Sequence, residues 1–147
     1  MADPPRTPVT RPRVLIADDH AIVAEGLRLL LQNHCELVGI VNDGVALIAA
    51  ALDLQPDVIV ADISMPGVDG LQAVRRMREK GVQAKVVMLT MYADPDLAQE
   101  ALAAGANAYV IKHSAGEELL KAIHAVLQGL TYVTPLAFRQ RHRGGPF

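Results

Sequence analysis

Short apolar runs alternate along this chain with longer stretches in which apolar residues return every three or four positions. The runs are Val14–Ala17, Glu36–Val41, Val58–Asp62, Lys85–Thr90 and Ala108–Ile111, most of them nearly continuous in aliphatic residues. Such runs suit strands of a parallel sheet covered on both faces, where neither side of the strand meets water. Between them, Ala21–Gln32, Gly44–Leu54, Gly70–Lys80 and Pro95–Ala104 carry helical spacing, and Ala115–Leu127 follows the last strand. The punctuation agrees: Asp94 and Pro95 open a helix as N-cap and first helical residue, and Gly81 and Gly105 suit helix C-termini. Asp43 and Asp69 read as helix caps, and Ser114 with Glu117 has capping-box spacing. Strict alternation of strand and helix predicts a doubly wound α/β sandwich with the sheet in the middle.

Composition narrows this picture. A chain of 147 residues makes one domain with tails, and 51% hydrophobic against 3% aromatic residues implies an aliphatic core. A formal net charge of -2 argues against a whole-domain nucleic-acid footprint. The single cysteine, Cys35, has no internal disulfide partner; it reads as a packing residue and fits a reducing, cytoplasmic location. No apolar run reaches the ~18 residues of a membrane span, so no membrane partner is expected. The proline-rich start, residues 1–12, reads as a disordered arm, and the basic "RQRHRGGPF" as a linker.

In doubly wound folds, ligands bind beyond the carboxyl ends of the strands. That edge collects Asp18 and Asp19 after the first strand, Asp62 after the third, Thr90 after the fourth and Lys112 after the fifth. Carboxylates roughly 5 Å apart repel by about 3 kcal/mol per pair at an effective dielectric near 20. A hard divalent cation relieves that repulsion, and Mg²⁺ commonly shares its sphere with a phosphate. Lys112 adds a point charge suited to phosphate oxygens, and a carboxylate can accept a phosphoryl group as an acyl phosphate. Neither a G-x-x-x-x-G-K-[ST] loop nor a G-x-S-x-G elbow is present. Blander readings stand beside these: Asp19 as a helix cap alone, Asp57 as a solvated strand-start residue, and Arg75, Arg76, Arg78, Glu79 and Lys80 as a solvated helix face. Tyr109 by itself reads as a core or edge residue. His20 stays outside the metal set, because one imidazole is a weak case for a softer ion.

The strings "VLIADDH", "VIVADISMPGVDGL", "VVMLTMY" and "GANAYVIKHS", in that order between Arg13 and Gly129, resemble the receiver domain of bacterial two-component response regulators. The forms "DDH", "LTMY" and "KHSAGEEL" resemble its NarL/FixJ (LuxR-type) branch. The resemblance implies a flavodoxin-like (βα)5 three-layer sandwich with a parallel five-stranded sheet of order 2-1-3-4-5. It implies Asp62 as phosphoacceptor from a histidine kinase, with Mg²⁺ held by Asp18, Asp19, Asp62 and the backbone carbonyl of Ser64. It further implies that Thr90 turns towards the phosphoryl group, Lys112 pairs with it, and Tyr109 swings inward as partner of Thr90. Met65-Pro66-Gly67 corresponds to the loop after the acceptor, and Gly70 to the start of the next helix. One departure is His113, where many receivers have a cis proline.

The implied function is a phosphorylation switch that modifies itself without turning over an external substrate. The helix Pro95–Ala104, rich in alanine, is expected to be its mobile element. Residues 13–130 are read as the receiver and 131–147 as a linker or tail. "TYVTP" resembles the junction before a DNA-binding domain, and too few residues follow for a helix-turn-helix, so DNA contact is expected only through a missing output domain. A homodimer formed on phosphorylation is expected through residues of the last helix left over from covering the sheet, such as Leu119 or Ala122. The alternatives are a stand-alone regulator acting by protein contact, a phosphorylation-independent scaffold, and a Mg²⁺-dependent phosphohydrolase. The last needs a general acid beside Asp62, which the sequence does not clearly supply.

Overall fold

The structure, a computed structural model, describes residues 11–135. The expected arm up to residue 10 and the tail from residue 136 lie outside the described residues. The chain runs β1 (Arg13–Ala17), α1 (Ala21–Leu31), β2 (Glu36–Val41), α2 (Gly44–Leu54), β3 (Val58–Asp62), α3 (Gly70–Glu79), β4 (Lys85–Thr90), α4 (Pro95–Ala104), β5 (Ala108–Ile111), a 3₁₀ turn (Lys112–Ser114), α5 (Ala115–Leu127) and β6 (Tyr132–Val133). All neighbouring strands pair in parallel, in the order β2-β1-β3-β4-β5-β6.

Strand alternation sorts the apolar residues into two layers. Leu15, Ile59, Val86, Met88, Tyr109 and Ile111 face α2, α3 and α4. Val14, Ile16, Val60, Val87, Leu89 and Val110 face α1 and α5, where Leu27, Leu31, Leu119, Ile123 and Val126 close over them. Each fully buried aliphatic side chain contributes about 1.5–3 kcal/mol. Cys35 is a buried packing residue in this second layer.

The caps follow the sequence with one exception. Asp43 accepts from the Ala46 N–H at 2.7 Å, Asp69 from Gln72 at 2.9 Å, and Asp94 from Asp96 at 3.0 Å. Ser114 makes no capping bond. It ends the 3₁₀ turn at ψ 4°, whereas an N-cap hydroxyl reaches the first turn from extended backbone.

The structure corrects the sequence reading in four further places. The sheet has a sixth strand. Tyr132 N–H donates to the Asn107 carbonyl at 3.2 Å, and Thr134 N–H to that of Tyr109 at 2.9 Å. The Glu118 carboxylate on α5 accepts from the Tyr132 hydroxyl at 3.0 Å and the buried Thr134 hydroxyl at 2.6 Å. Burial, reinforced by the bond to Glu118 and its charge, pushes the Tyr132 hydroxyl up to about 12. Asp57 is no free strand-start residue: its carboxylate accepts the Arg13 N–H at 2.8 Å and ties β1 to β3. Arg78 leaves the solvated face of α3 and donates to the carbonyls of Gly105 and Val82 and to the Asn107 side chain. Burial pulls its guanidinium pKa down. Leu119 and Ala122 are fully buried at 0% exposure, so they are not available to a dimer contact.

The Glu118 latch makes a direct prediction. Glu118→Ala strips the Thr134 hydroxyl of its partner inside the fold, at a cost of about 1–3 kcal/mol. Denaturant unfolding is expected to show that loss, and hydrogen exchange to show faster exchange at Thr134 with β3 and β4 unchanged.

Candidate functional site

Three strand ends and one 3₁₀ turn build the site. Asp18 follows β1 and is held there by its N–H on the Val41 carbonyl at 3.0 Å. Asp62 closes β3, and β4 carries on past it to Thr90. Lys112 opens the turn after β5. Asp18 and Asp62 are buried at 2% and 3% exposure. No strand in the middle of a sheet can move its end alone, so the side chains converge by topology.

Gly70 permits the close packing beneath the end of β3. A Cβ there would lie 2.4 Å from the Asp62 carbonyl oxygen, and the Gly70 N–H donates to the Ile63 carbonyl at 2.8 Å. Only glycine lets α3 begin this close to β3.

Lys112 Nζ donates to Asp62 Oδ2 at 2.9 Å and lies 3.2 Å from Asp18 Oδ2. The second approach is an ion pair without hydrogen-bond alignment, which leaves buried Asp18 Oδ2 with no hydrogen-bond partner. Two buried carboxylates thus share one ammonium. Burial raises the pKa of Asp62, and the hydrogen bond and charge of Lys112 and the N–H of Ser64 offset this only in part. Burial also works against the Lys112 ammonium, but Asp62 and then Asp18 outweigh it and its pKa ends raised. Both shifts describe a pocket short of positive charge.

Asp19 is more exposed than Asp18 and does not cap α1; the N-cap is His20, without a side-chain bond. One ligand atom from each of Asp18, Asp19, His20 and Asp62 falls within 4.8 Å of the others. A hard cation matches this oxygen-rich set, and two buried carboxylates sharing one ammonium are the observation that makes the fit. The Ser64 N–H donates to Asp62 Oδ1 at 3.1 Å. A larger cavity of about 550 Å³, lined by Pro56, Asp57, Val82 and Lys85, lies at the strands' amino-terminal edge, away from this chemistry.

Thr90 and Tyr109 meet through the backbone of Tyr92. The Thr90 hydroxyl accepts from the Tyr92 N–H at 3.1 Å, and the Tyr109 hydroxyl donates to the Tyr92 carbonyl at 2.5 Å. Tyr109 is fully buried in this structure. Burial raises its hydroxyl pKa, with the Asp94 backbone and Thr90 opposing. Tyr92 as the shared anchor had no sequence signal, because a backbone carbonyl carries none. No peptide bond among the described residues is cis, Lys112-His113 included.

Residues 14–124 match the response regulator receiver domain family. The chain belongs to that family. The receiver is 39% identical over 124 residues to the oxygen regulatory protein NreC of Staphylococcus epidermidis, covering 82% of this chain and 57% of that protein. It therefore spans little more than half of that relative's length. A LuxR-family two-component response regulator from Aurantimonas sp. SI85-9A1 superposes with a TM-score of 0.85 at 31% identity, over 90% of this chain and 98% of that one. The isolated REC domain of RcsB from Salmonella enterica serovar Typhimurium, solved with the phosphomimetic BeF3⁻, gives 0.79 at 30% identity over 88% and 97%. The receiver thus groups with the NarL/NreC type, phosphorylation-activated switches with a flavodoxin-like sheet. Among the described residues no helix is long and apolar enough to cross a membrane.

The charge shortage has a pH signature. A carboxyl whose folded pKa is raised contributes stability while protonated, and loses it as pH climbs through the folded value. In the metal-free receiver, that loss is expected above the ordinary Asp62 value of 3.8. Thermal unfolding against pH in the presence of a chelator should show it, and Asp62→Asn should remove that part of the pH dependence.

Proposed function

We propose that Asp62 accepts a phosphoryl group from the phosphohistidine of a histidine kinase. The observation that carries this reading is the buried Asp62 carboxylate, held by Lys112 at 2.9 Å beside Asp18, whose Oδ2 faces the same ammonium at 3.2 Å. An Asp62 oxygen attacks phosphorus, an O–P bond forms as the P–N bond breaks, and the electron pair leaves with the imidazole. Lys112 neutralises the phosphoryl oxygens and positions the acceptor. Asp18, Asp19, Asp62 and the Ser64 carbonyl would hold Mg²⁺, which when bound supplies charge stabilisation to the transferring group.

Thr90 couples the site to the surface. Turning its hydroxyl towards the phosphoryl group takes it from the Tyr92 N–H and releases one of the two ties on that loop. Met91 and Tyr92 are exposed at 68% and 61%, and the loop leads directly into α4, whose sheet-facing residues are alanines. Phosphorylation then shifts a pre-existing balance of loop and α4 positions. The output is transcription, exerted through a DNA-binding domain of the full-length regulator and accompanied by pairing of two receivers. Relatedness to NreC and to a LuxR-family regulator supports that output. A cytoplasmic site of action fits a histidine-kinase partner.

Two measurements test this. Incubation with acetyl phosphate and Mg²⁺ is expected to add one phosphoryl group by intact mass, absent in Asp62→Ala; an adduct retained in that variant overturns the assignment. Thr90→Ala is expected to be phosphorylated still, yet to lose most of the phosphorylation-dependent change in hydrogen exchange across Met91–Ala104. A full change in the variant would break the link between Thr90 and the loop.

A further inference from the structure

We propose that the cavity at the amino-terminal edge of the sheet, together with the outer face of α2, docks an acidic amphipathic helix of a partner protein. α2 carries one charge, Asp53, in its 11 residues. A helix so apolar on every side belongs in an interior. Yet Val45, Ala49 and Leu52 face outward at i, i+4 and i+7, with Val45 63% and Leu52 43% exposed. The stripe ends in the cavity of about 550 Å³, which Leu52 lines together with exposed Leu127 from the end of α5. That volume is large enough to bury an anchoring side chain.

The rim sets the charge of the partner. Lys80 at the end of α3 and Lys85 at the start of β4 both line the cavity. Neither ammonium has an ion-pair partner among the described residues. Asp57, the one carboxylate in the lining, already accepts the Arg13 N–H. An apolar floor beneath unpaired ammonium groups matches a helix with apolar residues on one face and carboxylates beside them. The chain's own tail is mismatched, because "RQRHRGGPF" is basic. Two copies paired through this face would set the same lysines against each other.

The backbone at the cavity supplies a separate sign. Gln55, which lines it, is the only non-glycine residue with positive φ among the described residues, at 48°. Glycine would take that conformation without strain. Strained backbone of this kind collects at binding sites. The Arg13 guanidinium braces the turn by donating to the Leu54 and Gln55 carbonyls, both at 2.9 Å. The exposed Gln55 side chain is thereby held at the rim, where its amide can meet an incoming helix.

The test uses the full chain and a short helical peptide with leucine and phenylalanine on one face and glutamate on the other. A twin peptide carries lysine in place of glutamate. Nuclear magnetic resonance titration with the glutamate peptide is expected to shift the amides of Leu52, Gln55 and residues 81–85. The lysine twin is expected to bind about tenfold more weakly. Lys80→Glu should abolish most of that preference, and Leu52→Ser should weaken both peptides. Both residues are exposed, so unchanged thermal unfolding of the variants would show that the fold is intact. Equal affinity for the two peptides, or no shift at these amides, would overturn the proposal. Self-association of the receiver that Leu52→Ser abolishes would give the face to a second copy instead. Peptide binding that appears only when the chain ends at Pro135 would give the cavity to the tail.

Discussion

Two buried carboxylates facing one ammonium set the terms for the rest of the structure. Asp18 and Asp62 stand at the ends of adjacent parallel strands, β1 and β3, and Lys112 reaches both from the turn after β5. Burial costs each charge its hydration, and a single ammonium returns only part of it. The fold keeps this arrangement because the strands that carry it are locked by an aliphatic core on both faces. A site short of positive charge is matched to a cation.

That tension is useful only if it can be read elsewhere. Thr90 and Tyr109 both hold Tyr92, one by its N–H and the other by its carbonyl. The same Tyr109 offers its own carbonyl to Thr134, and Thr134 is held by Glu118 on α5. A series of hydrogen bonds therefore joins Thr90, at the carboxyl end of β4, to β6. The contacts are short-range and directional, so they favour discrete arrangements over gradual deformation.

Arg78 and Asp57 show how the scaffold is braced away from the site. Arg78 lies against Gly105, whose φ of 117° ends α4; it fastens that turn to α3 through the Gly105 carbonyl and the Asn107 side chain, and holds the Val82 carbonyl before β4. Asp57 fastens the opposite edge, where β1, β3 and β4 begin. Both residues are charged, and both act by satisfying backbone groups that would otherwise be stranded at the ends of elements.

The order of strands and helices was legible in the sequence because periodicity and helix punctuation are local properties. Asp43, Asp69 and Asp94 cap as their spacing says, and the residues gathered at the carboxyl edge follow from strand ends plus a topological rule. The sixth strand was not legible, since a two-residue pairing has no pattern of its own and exists through Asn107, Tyr109 and Glu118. The burial of Leu119 and Ala122, the pinning of Arg78 and the engagement of Asp57 depend on which neighbour lies opposite. Identity of the chemistry is written in residue types along the chain, whereas its partners are set by distances that only packing fixes.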